Sequence, residues 1–159
     1  MSTIQEDYIL RMVQMMGEII TAALKLKTSG QILEANQTLD NALQTIMPEH
    51  ANLVEMVDEK TAISLLGSSE LAETYVELLL ERAELKMALE QNSEGSTLLT
   101  RAIRILMMSI RMERKVSPNG QLIWGRLSGL DLNLLLDKVE IESWSNLDEA
   151  IKNGFFIAP

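Results

Sequence analysis

Leu26–Leu43 reads LKTSGQILEANQTLDNAL. A short polar break with one glycine separates two arms whose apolar residues recur at helical spacing. Gly30 stands where glycine commonly ends a helix, in the left-handed C′ position. Downstream, Ile32, Ala35, Leu39, Ala42, Leu43 and Ile46 form one apolar face of a helix expected over 32–47, and Pro48 blocks its continuation. Upstream, the polar residues Asp7, Arg11, Gln14, Glu18, Thr21, Lys25 and Thr28 fall at alternating gaps of four and three, which trace a single helix face. Nearly everything between them is apolar. This first helix is therefore expected to be covered on most sides, as a central helix or as part of an oligomer interface. Thr3 and Glu6 have the spacing of a capping box at its start.

The stretch has a diverged copy. A shift of 60 residues carries Ala23, Gly30, Ala35, Leu39 and Ala42 onto Ala83, Glu90, Gly95, Leu99 and Ala102. Four of the five positions keep their character, and only the turn glycine changes. Small residues at such points let two helix axes approach closely. ITAALKLKTSGQILEANQTLDNALQTIMP (20–48) and LLLERAELKMALEQNSEGSTLLTRAIRIL (78–106) each resemble the tetratricopeptide repeat, a helix–turn–helix unit of about 34 residues. That resemblance implies antiparallel helical hairpins and a protein-binding role. The two units are separated rather than tandem, and the aromatic residues expected early in each first helix are missing. EDYILRMVQMM near the start, taken with the LLLERAEL hairpin, is also similar to a family of small uncharacterised helical proteins of Gram-positive bacteria. That resemblance implies no activity.

Composition agrees with an all-α fold of antiparallel hairpins. The 159 residues suit one domain, 47% of them are hydrophobic, only three are proline and 4% are aromatic. The helical body is expected over 1–116, with hairpins at about 4–47 and 70–115. Between them, short helices are expected near 53–57 and after Asp58, ending at Gly67. Ser68 or Ser69 caps a long helix to about Gln91, NSEG (92–95) reads as a turn, and Ser96 caps the next helix to about Lys115. SPNG (117–120) reads as a breaker. Residues 117–159 form an appendage of the same domain, with short helices over 132–139 and after Ser145, the second ending at Gly154. This region holds both tryptophans and both phenylalanines.

Net charge of −9 repels nucleic acid and anionic membranes. No apolar run approaches the roughly 18 residues of a membrane span, and MSTIQEDYILRM lacks the basic start and apolar core of a secretory signal. With no cysteine there is no disulfide framework, and a cytoplasmic location is expected. The one histidine, His50, has no legible partner for catalysis. No metal-ligand cluster, phosphate loop or nucleophile motif occurs, so no catalytic residue, cofactor or metal is assigned.

Two charged stripes remain. Glu70, Glu73, Glu77, Glu81 and Glu84 share a helix face and read as solvated surface. Arg101, Arg104, Arg111, Arg114 and Lys115 mark the following helix. If the pair folds back on itself, Glu77 and Glu84 should meet Arg104 and Arg111. Met108, one turn from both Arg104 and Arg111, is a polarisable side chain set among arginines, a composition suited to an interface. Arg104, Met108 and Arg111, with Met12 and Met16 on the apolar first helix, are the candidate interface residues. The expected function is a non-catalytic interaction module that binds a protein partner or itself. A regulator whose arginine helix contacts an acidic partner or nucleic acid is the alternative, and a small enzyme lined by Glu77, Glu81, Arg104 and Arg111 is a third reading.

Overall fold

The computed structural model describes residues 3–155. Among them lie α1 (Thr3–Thr28), α2 (Ile32–Asp40), α3 (Ala42–Ile46), α4 (Ala51–Met56), α5 (Glu59–Leu66), α6 (Ser69–Ala88), α7 (Asn92–Glu113), α8 (Pro118–Ser128) and α9 (Lys138–Lys152), with a 3-10 turn at Leu132–Leu134. The all-α class expected from composition is what the chain adopts. None of these helices is long and apolar enough to cross a membrane.

The centre is α6, not α1. Fourteen side chains of α6 are buried, Leu71, Tyr75, Leu78, Leu79 and Leu85 among them, whereas α1 buries only Ile9, Met12, Met16, Ile20 and Ala23. The polar stripe of α1 does face outward, but the apolar flanks beside it are left open, with Tyr8, Leu10 and Leu24 exposed. Thr3 is already helical and therefore does not act as the cap.

Both hairpins form, and they turn in the same way. After α1, Gly30 has φ +80°; Gln31 N–H donates to the Leu26 carbonyl at 2.8 Å and Gly30 N–H to Lys27 at 3.0 Å. After α6, Glu90 has φ +61°; Gln91 N–H donates to Lys86 at 2.8 Å and Glu90 N–H to Met87 at 3.0 Å. This is one left-handed helix stop, used 60 residues apart. It also explains why NSEG is the first turn of α7 and not a loop: the reversal is complete by Gln91. Small residues mark the crossings as expected, with Ala23, Ala35, Ala83 and Ala102 buried. A Cβ on Gly95 would lie 2.9 Å from Met87 Cγ and 3.2 Å from the Ala83 carbonyl oxygen, so α7 approaches α6 there at glycine distance. The helix expected over 32–47 is interrupted at Asn41, although the Asn41 N–H to Gln37 and Thr45 N–H to Asn41 bonds carry the turn through.

The middle helices follow their caps. Asp58 accepts from Thr61 N–H to start α5, Gly67 ends it with φ +86°, and Ser68 accepts from Leu71 N–H to start α6. SPNG initiates a helix instead of breaking one: Arg114 closes α7 in a left-handed conformation, Ser117 accepts from Gly120 N–H, and Pro118 takes the first turn of α8, where its missing N–H costs nothing. Asp137 and Glu140 form a full capping box for α9. Residues 132–139 therefore do not form one helix, and Ser145 lies inside α9. Gly154 does end it, with φ +78°.

Candidate interaction groove

The acidic face of α6 is in part an internal seam: Glu73 and Glu81 are buried and Glu77 half-buried, while Glu70 and Glu84 are exposed as expected. Glu73 and Glu81 are each 7% exposed. Glu73 accepts from Ser117 Oγ at 2.7 Å, Glu77 from Asn119 Nδ2 at 2.6 Å, and Arg126 joins Glu81 and Glu84 at 2.6 Å each. α8 thus lies alongside α6, running in the same direction, and takes up its carboxylates. Burial pushes the Glu73 carboxyl above its ordinary range, with the charges of Glu70 and Glu77 adding to this. Lys27 of α1 reaches Glu84 at 3.0 Å. The predicted pairs of Glu77 and Glu84 with Arg104 and Arg111 do not form, because the carboxylates point to α8 while the arginines lie on the outer face of α7. The four residues of the enzyme reading consequently never converge.

That outer face of α7 borders three adjoining depressions. Ser93, Thr97, Arg101, Arg104, Met108 and Arg111 follow at gaps of four or three, one helical stripe. The first depression, about 530 Å³, lies between Ser93, Thr97 and the cluster of Asp40, Arg82 and Lys86. The second, about 620 Å³, shares Ser93 and Thr97 and runs past Arg101 to Arg104 and Glu59. The third, about 330 Å³, shares Glu59 and Arg104 and ends at Met107, Met108, Arg111, Val139, Glu140 and Ser143. From Ser93 to Arg111 the trough spans roughly 27 Å of helix.

Its two ends differ chemically. At the first, Arg82 Nε donates to Asp40 at 3.1 Å and Arg82 Nη1 to Glu55 at 2.9 Å, while Lys86 donates to Asp40 at 3.0 Å. Arg82 and Lys86 are buried. Arg101 donates to the Val54 carbonyl and lies beside the buried Tyr75 hydroxyl, whose ionisation burial opposes. At the other end, Arg104 holds Glu140 through both carboxylate oxygens, at 2.6 and 3.1 Å. That two-point contact holds Glu140 below and Arg104 above their ordinary ranges. Arg111 is exposed and makes no ion pair or hydrogen bond among the described residues. Arg104, Met108 and Arg111 are therefore brought together on one wall, as their spacing predicted, with Met107 behind them.

Met12 and Met16 do not belong to this surface. Met16 is wholly buried and Met12 is 4% exposed; both face the core side of α1. Met12 reaches only the floor of a separate groove, about 480 Å³, beside Tyr8, Met47, His50 and Leu65. His50 is exposed there. Val139, Glu140 and Ser143, which form the opposing wall of the main groove, were missed because the start of α9 was misplaced. The D-x-x-E spacing of Asp137 and Glu140 carried that signal. No group of histidine and carboxylate side chains among the described residues is placed to hold a metal ion. Set against family models, curated proteins and solved structures, the chain matches none of them.

Proposed function

We propose that this protein is a non-catalytic interaction module of the cytoplasm that holds a segment of another protein in the trough along α7. One observation carries the reading. The trough ends in an apolar patch of Met107, Met108 and Val139, next to an arginine, Arg111, left unpaired among the described residues. Such a site suits a segment that places an apolar side chain on the methionines and a carboxylate on the guanidinium. Against a net charge of −9, which disfavours strongly acidic partners, Arg111 offers a local contact for a single carboxylate beside apolar surface.

The matching left-handed stops at Gly30 and Glu90 support a repeat ancestry of tetratricopeptide type for the two hairpins. The nucleic-acid alternative is weakened, since Arg104 is committed to Glu140 and Arg101 to the Val54 carbonyl.

The test uses the purified chain as bait in a lysate of its native cell, with Met108→Glu and Arg111→Glu as matched baits. Methyl NMR of the ten methionines then maps each captured partner. A partner lost from both variants, with shifts centred on Met107 and Met108, is the expected result. Capture indifferent to both substitutions overturns the reading.

A further inference from the structure

Gly17 lies in the middle of α1 with no reason among the described residues to be glycine. Its φ is not positive, and a Cβ there would meet nothing within 4 Å. A glycine in a helix interior costs about 1 kcal/mol relative to alanine, and neither a turn nor a close neighbour offsets it here. Gly17 sits in a seam with its own pattern. Leu10, Val13, Gly17, Ile20 and Leu24 follow at gaps of three, four, three and four, the a/d spacing of paired helices. Leu10 is 65% exposed and Leu24 38%, while Val13 and Gly17 are half-buried. Among the described residues Ile20 is covered and Val13 packs partly against the core, which leaves Leu10, Gly17 and Leu24 as the open part of the seam.

The charges along α1 say what fits this seam. The first turns carry Glu6 and Asp7, and the last turn carries the exposed Lys25, with Lys27 behind it already paired to Glu84 of its own chain. A parallel pair of such helices would set like charges together at both ends. An antiparallel pair sets acid against base at both ends. A two-fold axis at Gly17 also places Leu10 opposite Leu24 of the second copy, and Gly17 opposite itself. The smallest residue then falls where the two axes cross, which is where close approach needs it. We propose that two copies of this chain associate through the Leu10–Gly17–Leu24 seam of α1, antiparallel and two-fold symmetric. The seam lies on a different helix from the α7 trough, and neither reading depends on the other.

The chain has no cysteine, so a single introduced thiol reports its own neighbour. Gly17→Cys, with open space at its Cβ, is expected to crosslink to itself under mild oxidation, whereas Tyr8→Cys on the other flank is not. Sedimentation equilibrium of the unmodified chain should give twice its 17.8 kDa mass. Leu10→Glu, Leu24→Glu and Gly17→Leu should each raise the dissociation constant by about tenfold or more; retained helicity shows that the fold survives. A monomer at millimolar concentration overturns the proposal. So does a dimer indifferent to all three substitutions, a mass above two chains, or crosslinking of the Tyr8→Cys variant where the Gly17→Cys variant stays uncrosslinked.

Discussion

Gly30 and Glu90 occupy the same left-handed position with unequal suitability. Glycine adopts it freely, whereas a glutamate pays for its Cβ. Glu90→Gly is therefore expected to stabilise the chain by about 1 kcal/mol, and Gly30→Ala to destabilise it by a similar amount. Urea midpoints at unchanged slope would show both. Glu73 makes a second residue-scale test. Its carboxyl is raised by burial against α8, so the folded chain holds this proton more tightly than the unfolded one. The contribution is full at low pH and declines as pH climbs above 4.5 through the raised value. Glu73→Gln keeps an acceptor for Ser117 and removes the charge. It should flatten that decline and leave the neutral-pH stability equal or higher, as read from unfolding curves across the range. Glu140 works in the opposite direction: its lowered value adds stability at neutral pH that is lost as pH falls.

At the scale of elements, the cluster joining α2, α4 and α6 sets two buried cations against Asp40, which they share, and Glu55, which only Arg82 meets. Asp40→Ala removes the partner that Arg82 and Lys86 share, while Arg82 keeps Glu55, and should cost about 2 kcal/mol, less than leaving a fully buried charge unpaired. Glu94→Ala should be close to neutral, because that residue meets Lys86 only at 3.8 Å and is mostly exposed. Paired denaturation curves distinguish the two. Elements were legible in the sequence at four local caps, whereas the Asp137–Glu140 capping box of α9, equally local, went unread. Gly30, Asp58, Gly67 and Ser68 each state a boundary in their own side chain or lack of one. Two failures share a cause. NSEG and SPNG are turn-like residues used at the start of helices, their role set by the left-handed residue shortly before them, and Ser145 lies inside a helix already started at Asp137. Glu90 had already turned the chain ahead of NSEG, and Arg114 had already ended α7 ahead of SPNG.

For the whole molecule, helical spacing placed Arg104, Met108 and Arg111 on one wall, because a single helix carries all three. The opposing wall was not legible: Val139, Glu140 and Ser143 meet α7 only through the packing of α8 and α9. The same limit explains the missed destination of the α6 carboxylates, since local spacing gives a face but not its neighbour. Arg104→Glu tests the assembled groove. It sets three carboxylates, Glu59, Glu140 and the new one, on the two walls. Stability should change by no more than about 1 kcal/mol, as for an exposed pair, while capture of a partner that docks by a carboxylate should be lost.

The two tryptophan rings lie parallel, 3.6 Å between centroids and 3° between planes, with Trp124 on α8 donating to Asp148 of α9 at 2.8 Å. They are the only tryptophans in the chain, and Trp144 belongs to the helix that supplies the groove's far wall. Stacked indoles couple their transitions, so the chain carries its own optical gauge of α9. A partner that wedges the groove open should weaken the tryptophan couplet in near-ultraviolet circular dichroism, without any label. A partner that settles into the groove as it stands should leave the couplet intact.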